Sequence, residues 1–239
     1  MGGNDWHVEI PFFSEKVFYG AGNSCSSIVV NIVASTGSDP SAIDLKGELP
    51  DLIELRVDLM TGDCRTIAAR WHEKTGIPLV ITLRSSAEGG KFSGTAEQWW
   101  EIISPLLPFA SYVDIEQRFS PFAAEVKKQG CTIVGSYHAN SMPSLSGLRE
   151  IEENLRMYSD IPKIVVAPGT CDEALDLLAF TCNAEQPVIT SIMGERFRHI
   201  RAVLPLFGSS WTFGHMGEQT SPGQYSVQEL KTLFSILQV

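Results

Sequence analysis

The fold is decided by Leu52-Ile53-Glu54-Leu55-Arg56-Val57-Asp58-Leu59, a stretch in which apolar and charged residues alternate. Successive side chains of a β-strand point to opposite faces, so the odd-numbered aliphatic residues share one face and Glu54, Arg56 and Asp58 share the other. The aliphatic face is predicted to pack against helices. The charged face must then point into a closed barrel, where packed aliphatic layers are the norm and an unpaired charge is costly. The stretch therefore predicts a polar site inside a barrel.

Seven further runs of apolar or β-branched residues resemble this one in length, and stretches of helical character separate them. The eight predicted strands span residues 28–36, 52–59, 79–84, 112–116, 132–138, 161–167, 187–193 and 211–215. The predicted helices span residues 65–74, 96–107, 121–129, 145–158, 171–183, 196–204 and 226–237. This alternation indicates parallel β-α units, and eight of them favour an α/β protein with the architecture of a (β/α)8 TIM barrel.

The whole chain, residues 1–239, is predicted to form a single domain, because no low-complexity linker, internal repeat or charge block divides it. Residues 1–27 precede the first strand and are interpreted as an N-terminal extension. Within it, residues 8–10 and 17–19 are interpreted as a hairpin that covers the bottom of the barrel.

Composition excludes several classes of protein. The net charge of −10 argues against a nucleic-acid partner and against a basic surface that binds membranes. The five cysteines form no C-x-x-C pair, which favours reduced thiols. There is no signal-peptide pattern and no apolar run long enough to span a membrane. We therefore expect a cytoplasmic protein, or an organellar one if a transit segment was removed.

The alternation of the second strand recurs in its neighbours. The residues predicted to point inward with Glu54 and Arg56 are Thr82, Arg84, Asp114, Glu116, Ser136, His138 and Lys163. They lie mostly toward the carboxyl ends of their strands, where barrel enzymes build their active sites. For Asp58, Asp114 and Glu116 the alternative is structural, as partners of Arg56 and Arg84 in a salt-bridge network.

Lys163 interrupts Ile161-Pro162-Lys163-Ile164-Val165-Val166-Ala167, which otherwise reads as a fully buried strand. Burial disfavours the charged form of a lysine, and a neutral amine is a nucleophile for carbonyl groups. The alternative is a lysine that extends to the strand end or pairs with a carboxylate. His138 ends the preceding strand and, alone, would be interpreted as structural. Together the two supply a nucleophile and a base for proton transfer beside an imine.

Three loops add candidate binding groups. Residues 84–90 end in a glycine pair, which is typical of a turn before a helix. Residues 221–224 form a turn before a helix that Ser226 is predicted to cap. Three arginines, Arg196, Arg198 and Arg201, follow the seventh strand. Most of this cluster should be solvated, while one guanidinium could reach the barrel mouth and bind a carboxylate.

At this point the sequence resembles the type I 3-dehydroquinate dehydratases, which act through a Schiff base. The segments that carry the resemblance occur in family order and span nearly the whole chain. They are Glu54-Leu55-Arg56-Val57-Asp58, Thr82-Leu83-Arg84, Glu88-Gly89-Gly90, Asp114-Ile115-Glu116, Ser136-Tyr137-His138, Pro162-Lys163-Ile164, Met193-Gly194, Phe207-Gly208-Ser209, Thr212-Phe213 and Ser221-Pro222-Gly223-Gln224.

The resemblance implies a mechanism for the inward-facing residues. Lys163 would condense with the C3 ketone of 3-dehydroquinate, and His138 would take a proton from C2 and return it to the departing C1 hydroxyl. A base works best with a pKa near the operating pH, where histidine ordinarily lies. Glu88 resembles the glutamate that assists this histidine. The family needs no cofactor and no metal, and the reaction belongs to the shikimate pathway of aromatic amino-acid biosynthesis.

The resemblance also assigns substrate-binding residues. Arg201 resembles the arginine that binds the substrate carboxylate, and Glu54, Arg56 and Arg84 resemble the groups that hold the ring hydroxyls. Gln224 belongs to a loop that closes over the ligand. The chain departs from the family pattern at Thr220, where a serine is usual, and at Ala139-Asn140, where the family often has Asp-Phe.

Three alternatives stay open. A class I aldolase would keep Lys163 but needs a phosphate-binding glycine loop, for which Gly194 and Gly208 are too sparse. A metal-dependent sugar isomerase would use the carboxylates and His138 as ligands, although the interleaved arginines would repel a divalent ion. A barrel that binds a ligand without turnover is the third. The expected partner is a small-molecule substrate. A homodimer is possible, because the outward helix faces fit a dimer as well as a monomer.

Overall fold

Strands and helices alternate in the computed structural model, which describes residues 30–43 and 48–237. The strands are β1 Asn31–Thr36, β2 Leu52–Arg56, β3 Leu79–Thr82, β4 Tyr112–Glu116, β5 Thr132–His138, β6 Ile161–Val166, β7 Ile189–Ile192, β8 Trp211–His215 and β9 Tyr225–Ser226. The helices are α1 Cys64–Thr75, α2 Ala96–Ile103, α3 Ala123–Lys128, α4 Leu145–Arg156, α5 Cys171–Asn183, α6 Ile200–Val203 and α7 Val227–Leu237. The predicted N-terminal hairpin lies outside the described residues.

The strands form one curled parallel sheet in the order β7-β6-β5-β4-β3-β2-β1-β8-β9. Because β1 pairs with both β2 and β8, the sheet turns back on itself. At the seam between β7 and β8, the Ser209 hydroxyl accepts a hydrogen bond from the Thr190 amide at 3.0 Å, and the Ser210 amide donates to the Val188 carbonyl at 2.8 Å. The short strand β9 pairs with the other edge of β8, on the side of this seam. The predicted α/β fold of the TIM-barrel type is confirmed.

The barrel interior has an apolar floor to which every one of the eight main strands contributes. Its members are Val33, Leu52, Val80, Tyr112, Val134, Ile161, Ile189, Trp211 and Phe213. Two residues further along each strand, the next inward position is polar or charged in seven cases out of eight, including Ser35, Glu54, Thr82, Asp114, Ser136, Lys163 and Ser191. The site therefore lies above a packed floor, toward the carboxyl ends of the strands.

The aliphatic rows of the strands pack outward, as their alternation predicts. Ile53, Leu55 and Ile81 are completely buried in the cluster that includes Trp71 of α1 and Trp99 of α2. These contacts bury large apolar surfaces and contribute roughly 1.5–3 kcal/mol for each side chain. They fix the strands against the helices, so the opposite faces of the same strands are held toward the barrel axis.

Two of the predicted helices are shorter in the structure, and in both a proline follows the last α-helical turn. The predicted helix 96–107 becomes α2, which ends at Ile103, and a 3₁₀ segment containing Pro105 and Pro108 follows. The predicted helix 196–204 is α-helical only over Ile200–Val203, because residues 196–199 form turns and a 3₁₀ segment with Pro205 follows. Proline has no amide hydrogen to donate and its ring clashes with the preceding turn, so the α-helical ladder stops. Among the described residues, no helix combines the length and apolarity needed to cross a membrane.

Candidate active site

A cavity of about 150 Å³ lies at the carboxyl ends of the strands. All nine residues predicted to form the site line it: Glu54, Arg56, Arg84, Glu88, His138, Lys163, Arg201, Thr220 and Gln224. They come from β2, the loop after β3, β5, β6, α6 and the loop between β8 and β9. Residues far apart in sequence thus meet because the strands converge on one barrel mouth.

Lys163 projects from β6 into the cavity and is only 4% exposed. Its Nζ atom donates to Asp114 Oδ2 at 3.0 Å and to Glu54 Oε1 at 3.4 Å, and lies 4.3 Å from the centre of the Phe213 ring. Carboxylates at these distances and the ring face all stabilise an ammonium, in opposition to burial. The expectation of an amine neutralised by burial took no account of these groups. Deprotonation of Lys163 before attack therefore stays a prediction.

Glu54 is held as a carboxylate. Burial raises the pKa of Glu54, but the charges of Lys163 and Arg56 outweigh burial and lower the pKa below 4.5. Its Oε2 atom accepts a hydrogen bond from the Ser35 hydroxyl at 2.5 Å, and its Oε1 atom accepts one from Thr82 at 3.0 Å. Glu54 therefore has fixed oxygens beside the lysine amine.

Arg84 organises the acidic residues of β4. Its guanidinium donates to Asp114 at 2.7 Å, to Glu116 at 3.0 Å and to Glu88 at 3.1 Å. Burial raises the pKa of Asp114, but Arg84 and Lys163 outweigh it and bring the pKa to about 2. The structural interpretation of Asp114 and Glu116 as partners of Arg84 is thus realised. The same contacts occupy much of the guanidinium that the family resemblance assigns to ring hydroxyls.

Arg56 forms a second, separate ion pair. Its Nε and Nη2 atoms donate to the two carboxylate oxygens of Asp58 at 2.9 and 2.8 Å. Asp58 also accepts from the Lys91 amide at 3.2 Å. This bidentate pair ties the end of β2 to the loop after β3 and presents Arg56 at the cavity wall.

The loop after β3 folds back on its own first residues so closely that Gly90 is required. A Cβ atom at this position would lie 2.1 Å from the Arg84 carbonyl oxygen, a severe steric overlap. The close approach carries Glu88 back over the barrel mouth, where its Oε2 atom lies 2.9 Å from His138 Nδ1. The glycine pair is therefore more than a turn, because it positions the partner of His138.

Burial disfavours charge on both His138 and Glu88. Burial and the nearby cations Arg84, Lys163 and Arg56 lower the pKa of His138 well below 6.5. For Glu88, burial raises the pKa to about 8, with Glu116 and Asp114 adding to the rise against the attraction of Arg84. The pair therefore favours a neutral imidazole and a protonated carboxyl over two charges. The expectation that His138 titrates near the ordinary histidine value is corrected by these surroundings.

Arg201 differs from the other buried cations of the described chain, because no carboxylate pairs with it. It is 5% exposed, its Nη2 atom donates to the Pro222 carbonyl at 3.1 Å, and its buried Nε atom has no hydrogen-bond partner. Burial and the charge of Arg198 lower the pKa of Arg201 to about 10. A desolvated guanidinium with a free donor is a site for an anion. Arg196 and Arg198, in contrast, are exposed.

The loop between β8 and β9 lies over the cavity and is closed on itself by Gln224. The Gln224 Oε1 atom accepts from the Thr220 amide at 3.0 Å, the Thr220 hydroxyl at 3.1 Å and the Ser221 amide at 3.3 Å. Thr220, the departure from the family serine, thus keeps a hydroxyl contact. Gly223 has a φ of +76°, and a Cβ there would lie 2.6 Å from the Gly194 carbonyl. We refer to residues 220–224 as the lid loop.

Phe213 and Ser35 line the cavity but were not predicted as site residues, and Asp114 was predicted to point inward only as a possible salt-bridge partner of the arginines. Ser35 is the register partner of Glu54, and Phe213 shares the inward row of β8 with Trp211. Applying the two-residue alternation to β1 and β8 would have found both. Nothing in the alternation indicates that Asp114 contacts Lys163, since β4 and β6 are not adjacent.

Within the described ranges, no three histidine, cysteine or acidic residues cluster as ligands for a metal ion. Glu54, Asp114 and Glu116 are instead held by Lys163 and Arg84. These carboxylates already have cationic partners, so the donor set does not favour the alternative of a metal-dependent isomerase.

Comparison with known proteins agrees with this geometry. Residues 27–239 match the family model described as type I 3-dehydroquinase. A protein of Methanoregula boonei named 3-dehydroquinate dehydratase is 44% identical over 208 residues, which cover 87% of this chain and all of that protein. A protein of the same name from Methanospirillum hungatei is 33% identical and covers 87% of this chain and 82% of its own.

A solved structure with the same architecture is the 3-dehydroquinate dehydratase of Aquifex aeolicus. It superposes with a TM-score of 0.75 at 25% identity, over 87% of this chain and 98% of that one. With a family model that covers most of its length and relatives above 30% identity, the chain belongs to the type I 3-dehydroquinase family.

Proposed function

We propose that the protein dehydrates 3-dehydroquinate to 3-dehydroshikimate, a step of the shikimate pathway, through an iminium formed at Lys163. The observation that carries the proposal is a buried lysine and a partly buried histidine that face one cavity from adjacent strands. Ser136 of β5 is the register partner of Lys163, so His138 stands one inward position above the amine. A substrate carbon next to an imine at Nζ would then lie within reach of the imidazole.

The first chemical step is condensation. The Lys163 amine attacks the C3 ketone, and the proton that it gives up has carboxylate acceptors in Asp114 at 3.0 Å and Glu54 at 3.4 Å. The former ketone oxygen receives this proton by way of the carboxylates and a second proton from solvent, and it leaves as water while the nitrogen lone pair forms the C=N bond. The positive charge of the iminium then lies against the Phe213 ring and the two carboxylates, which stabilise it. The iminium is an electron sink that acidifies C2.

Proton transfer is assigned to His138. Its Nδ1 atom carries the ring proton and donates to Glu88 Oε2, which also accepts from Arg84 at 3.1 Å, so Nε2 is left free to accept a proton from the substrate. Because its pKa is lowered, the imidazole is unprotonated and accepts the C2 proton. The electron pair of the C–H bond moves toward the imine nitrogen and forms an enamine. When that pair returns, it expels the C1 hydroxyl, which takes the proton from His138 and leaves as water. Hydrolysis of the product iminium frees Lys163.

Substrate recognition is assigned to the other lining residues. Arg201 binds the carboxylate through its guanidinium, whose Nε donor has no partner in the protein. The oxygens of Glu54 and the guanidinium groups of Arg56 and Arg84 face the ring hydroxyls. The lid loop, with Thr220 and Gln224, excludes water from the imine.

Turnover tests this assignment. Purified protein mixed with 3-dehydroquinate in excess EDTA should produce the ultraviolet absorbance of a conjugated enone, because neither step requires a metal ion. Equal rates with and without EDTA are expected. Activity that EDTA abolishes and a divalent ion restores would instead support the metal-dependent alternative, and no turnover under either condition would support a barrel that only binds.

Replacement of Arg201 should weaken substrate binding. For Arg201→Gln we expect KM to rise about 30-fold or more, the scale on which loss of a buried charge partner weakens binding. Arg201→Lys should fall between Gln and the native protein, because it keeps the charge but loses the bidentate geometry. The exposed Arg196→Gln variant is the matched control and should leave KM unchanged. Native KM and kcat in Arg201→Gln would contradict the assignment.

A further inference from the structure

The lid loop is joined to the segment after β7 by contacts that the chemistry described above does not use. Gly223 packs against the backbone of Gly194 and Glu195, and Pro222 accepts a hydrogen bond from Arg201. A third contact lies further along the chain, where the Arg198 guanidinium carbon stands 4.3 Å from the centre of the Tyr225 ring. This distance is within the range of a cation–π interaction.

Tyr225 is well placed to transmit this contact to the lid loop. It directly follows Gln224, whose side chain gathers the amides of Thr220 and Ser221, and it begins β9. Its register partner is Gly214 of β8. One side of Tyr225 is therefore fixed to the barrel through the backbone, while its ring meets Arg198 across the seam between β7 and β8.

Arg198 and Arg201 lie on the same short segment, three residues apart. A hydrogen bond from the Arg201 amide to the Arg198 carbonyl, 3.1 Å long, makes this part of the chain a tight turn. The residue that contacts the ring and the residue assigned to the substrate carboxylate thus lie on the same turn. A change in the position of the ring would alter how the lid loop meets Arg201.

We propose that Arg198 and Tyr225 form a latch that positions the lid loop over Arg201 for substrate binding. Both are positioning residues, because they act through the lid loop and Arg201. The proposal deepens the function proposed above and rests on it for its kinetic consequences. The latch itself is a property of the ligand-free protein.

Two readouts test the latch. In ligand-free protein, hydrogen exchange of the amides of residues 217–226 should be about two- to fivefold faster in Arg198→Met and in Tyr225→Leu, the scale of a cation–π contact near the surface. KM for 3-dehydroquinate should rise by a similar factor, with kcat changed less. Tyr225→Phe keeps the ring face and should behave like the native protein. Arg196→Met is the matched control, since Arg196 stacks on its own neighbour Phe197 at 5.5 Å and not on the lid loop.

The double variant separates the latch from a simple charge effect. If Arg198 acts through the ring, Arg198→Met should have no further effect in the Tyr225→Leu background. An equal rise of KM in both backgrounds would show that Arg198 only attracts the substrate by its charge, and would overturn the latch. Native exchange rates in both single variants would also overturn it. Absence of turnover in the native protein, with altered exchange in the variants, would instead contradict the proposed function alone.

Discussion

Borohydride added together with 3-dehydroquinate is expected to fix one substrate-derived mass on the peptide that contains Lys163 and to inactivate the protein. Reduction converts the iminium into a stable secondary amine, so the mass marks the nucleophile. Lys163→Arg keeps a cation beside Glu54 and Asp114 but removes the amine, and should lower kcat by about 10⁴-fold or more, the scale seen when catalytic nucleophiles are removed. Peptide mass spectrometry and steady-state kinetics measure the two effects.

The choice of arginine matters for folding. Lys163→Met would leave Glu54 without its ion-pair partner and would remove one of the two cations that hold Asp114. Loss of one partner from a buried ion pair costs about 3–5 kcal/mol. An inactive Met variant could have lost either its nucleophile or its fold. A folded, inactive Arg variant can only have lost the nucleophile. The exposed Lys128→Arg variant is the matched control and should be trapped like the native protein. Labelling at another lysine, or turnover by Lys163→Arg, would refute the covalent mechanism.

His138→Ala should lower kcat by about 10²- to 10⁴-fold while borohydride still labels Lys163. A positioned acid–base residue contributes a factor of this size to proton transfer, whereas the nucleophile is untouched. Exposed His72→Ala is the matched control and should leave kcat unchanged. Glu88→Gln can still hydrogen bond to His138 and should have a smaller effect. An unchanged kcat in His138→Ala would remove this residue from the mechanism.

The pH dependence of kcat gives a second measure of His138 in the native protein. At saturating substrate the imine has formed, so protonation of the base governs the acid side of the profile. Burial and three cations lower the pKa of His138, so the imidazole stays unprotonated as the pH falls through 6.5. We therefore expect kcat to stay level there and to decline only at lower pH. An acid limb at or above 6.5 would show that the bound complex restores an ordinary histidine.

Strand bounds were predicted correctly where apolar and polar residues alternate along the whole strand. The bounds predicted for β4, β5 and β8 are those of the structure. In these strands the alternation of apolar and polar residues stops at the same residue as the backbone hydrogen bonds to the neighbouring strands. The predicted bounds of β2 and β3 ran too far, because Val57 and Leu83 continue the alternation after the ladder has ended. Alternation reports which side a residue faces, while the ladder depends on a partner strand.

The same alternation predicted which residues face the site, but it did not predict which of them contact each other. It predicted that Glu54 and Lys163 face inward, yet the two are 109 residues apart and stand on β2 and β6. Their contact exists only because the sheet closes. Arg84 is held by acidic residues, whereas no carboxylate pairs with Arg201. This difference also depends on distances across the barrel mouth.

The sequence by itself determined the barrel, the inward row of charged residues and the inward position of Lys163 and His138. These follow from local periodicity and from the energetic cost of burying a charge, both of which are properties of each strand. Only the tertiary structure decided which charges neutralise each other, which guanidinium is left for an anion and how the pKa of His138 is lowered. Electrostatic energies depend on separation and burial, and neither quantity exists until the barrel has closed.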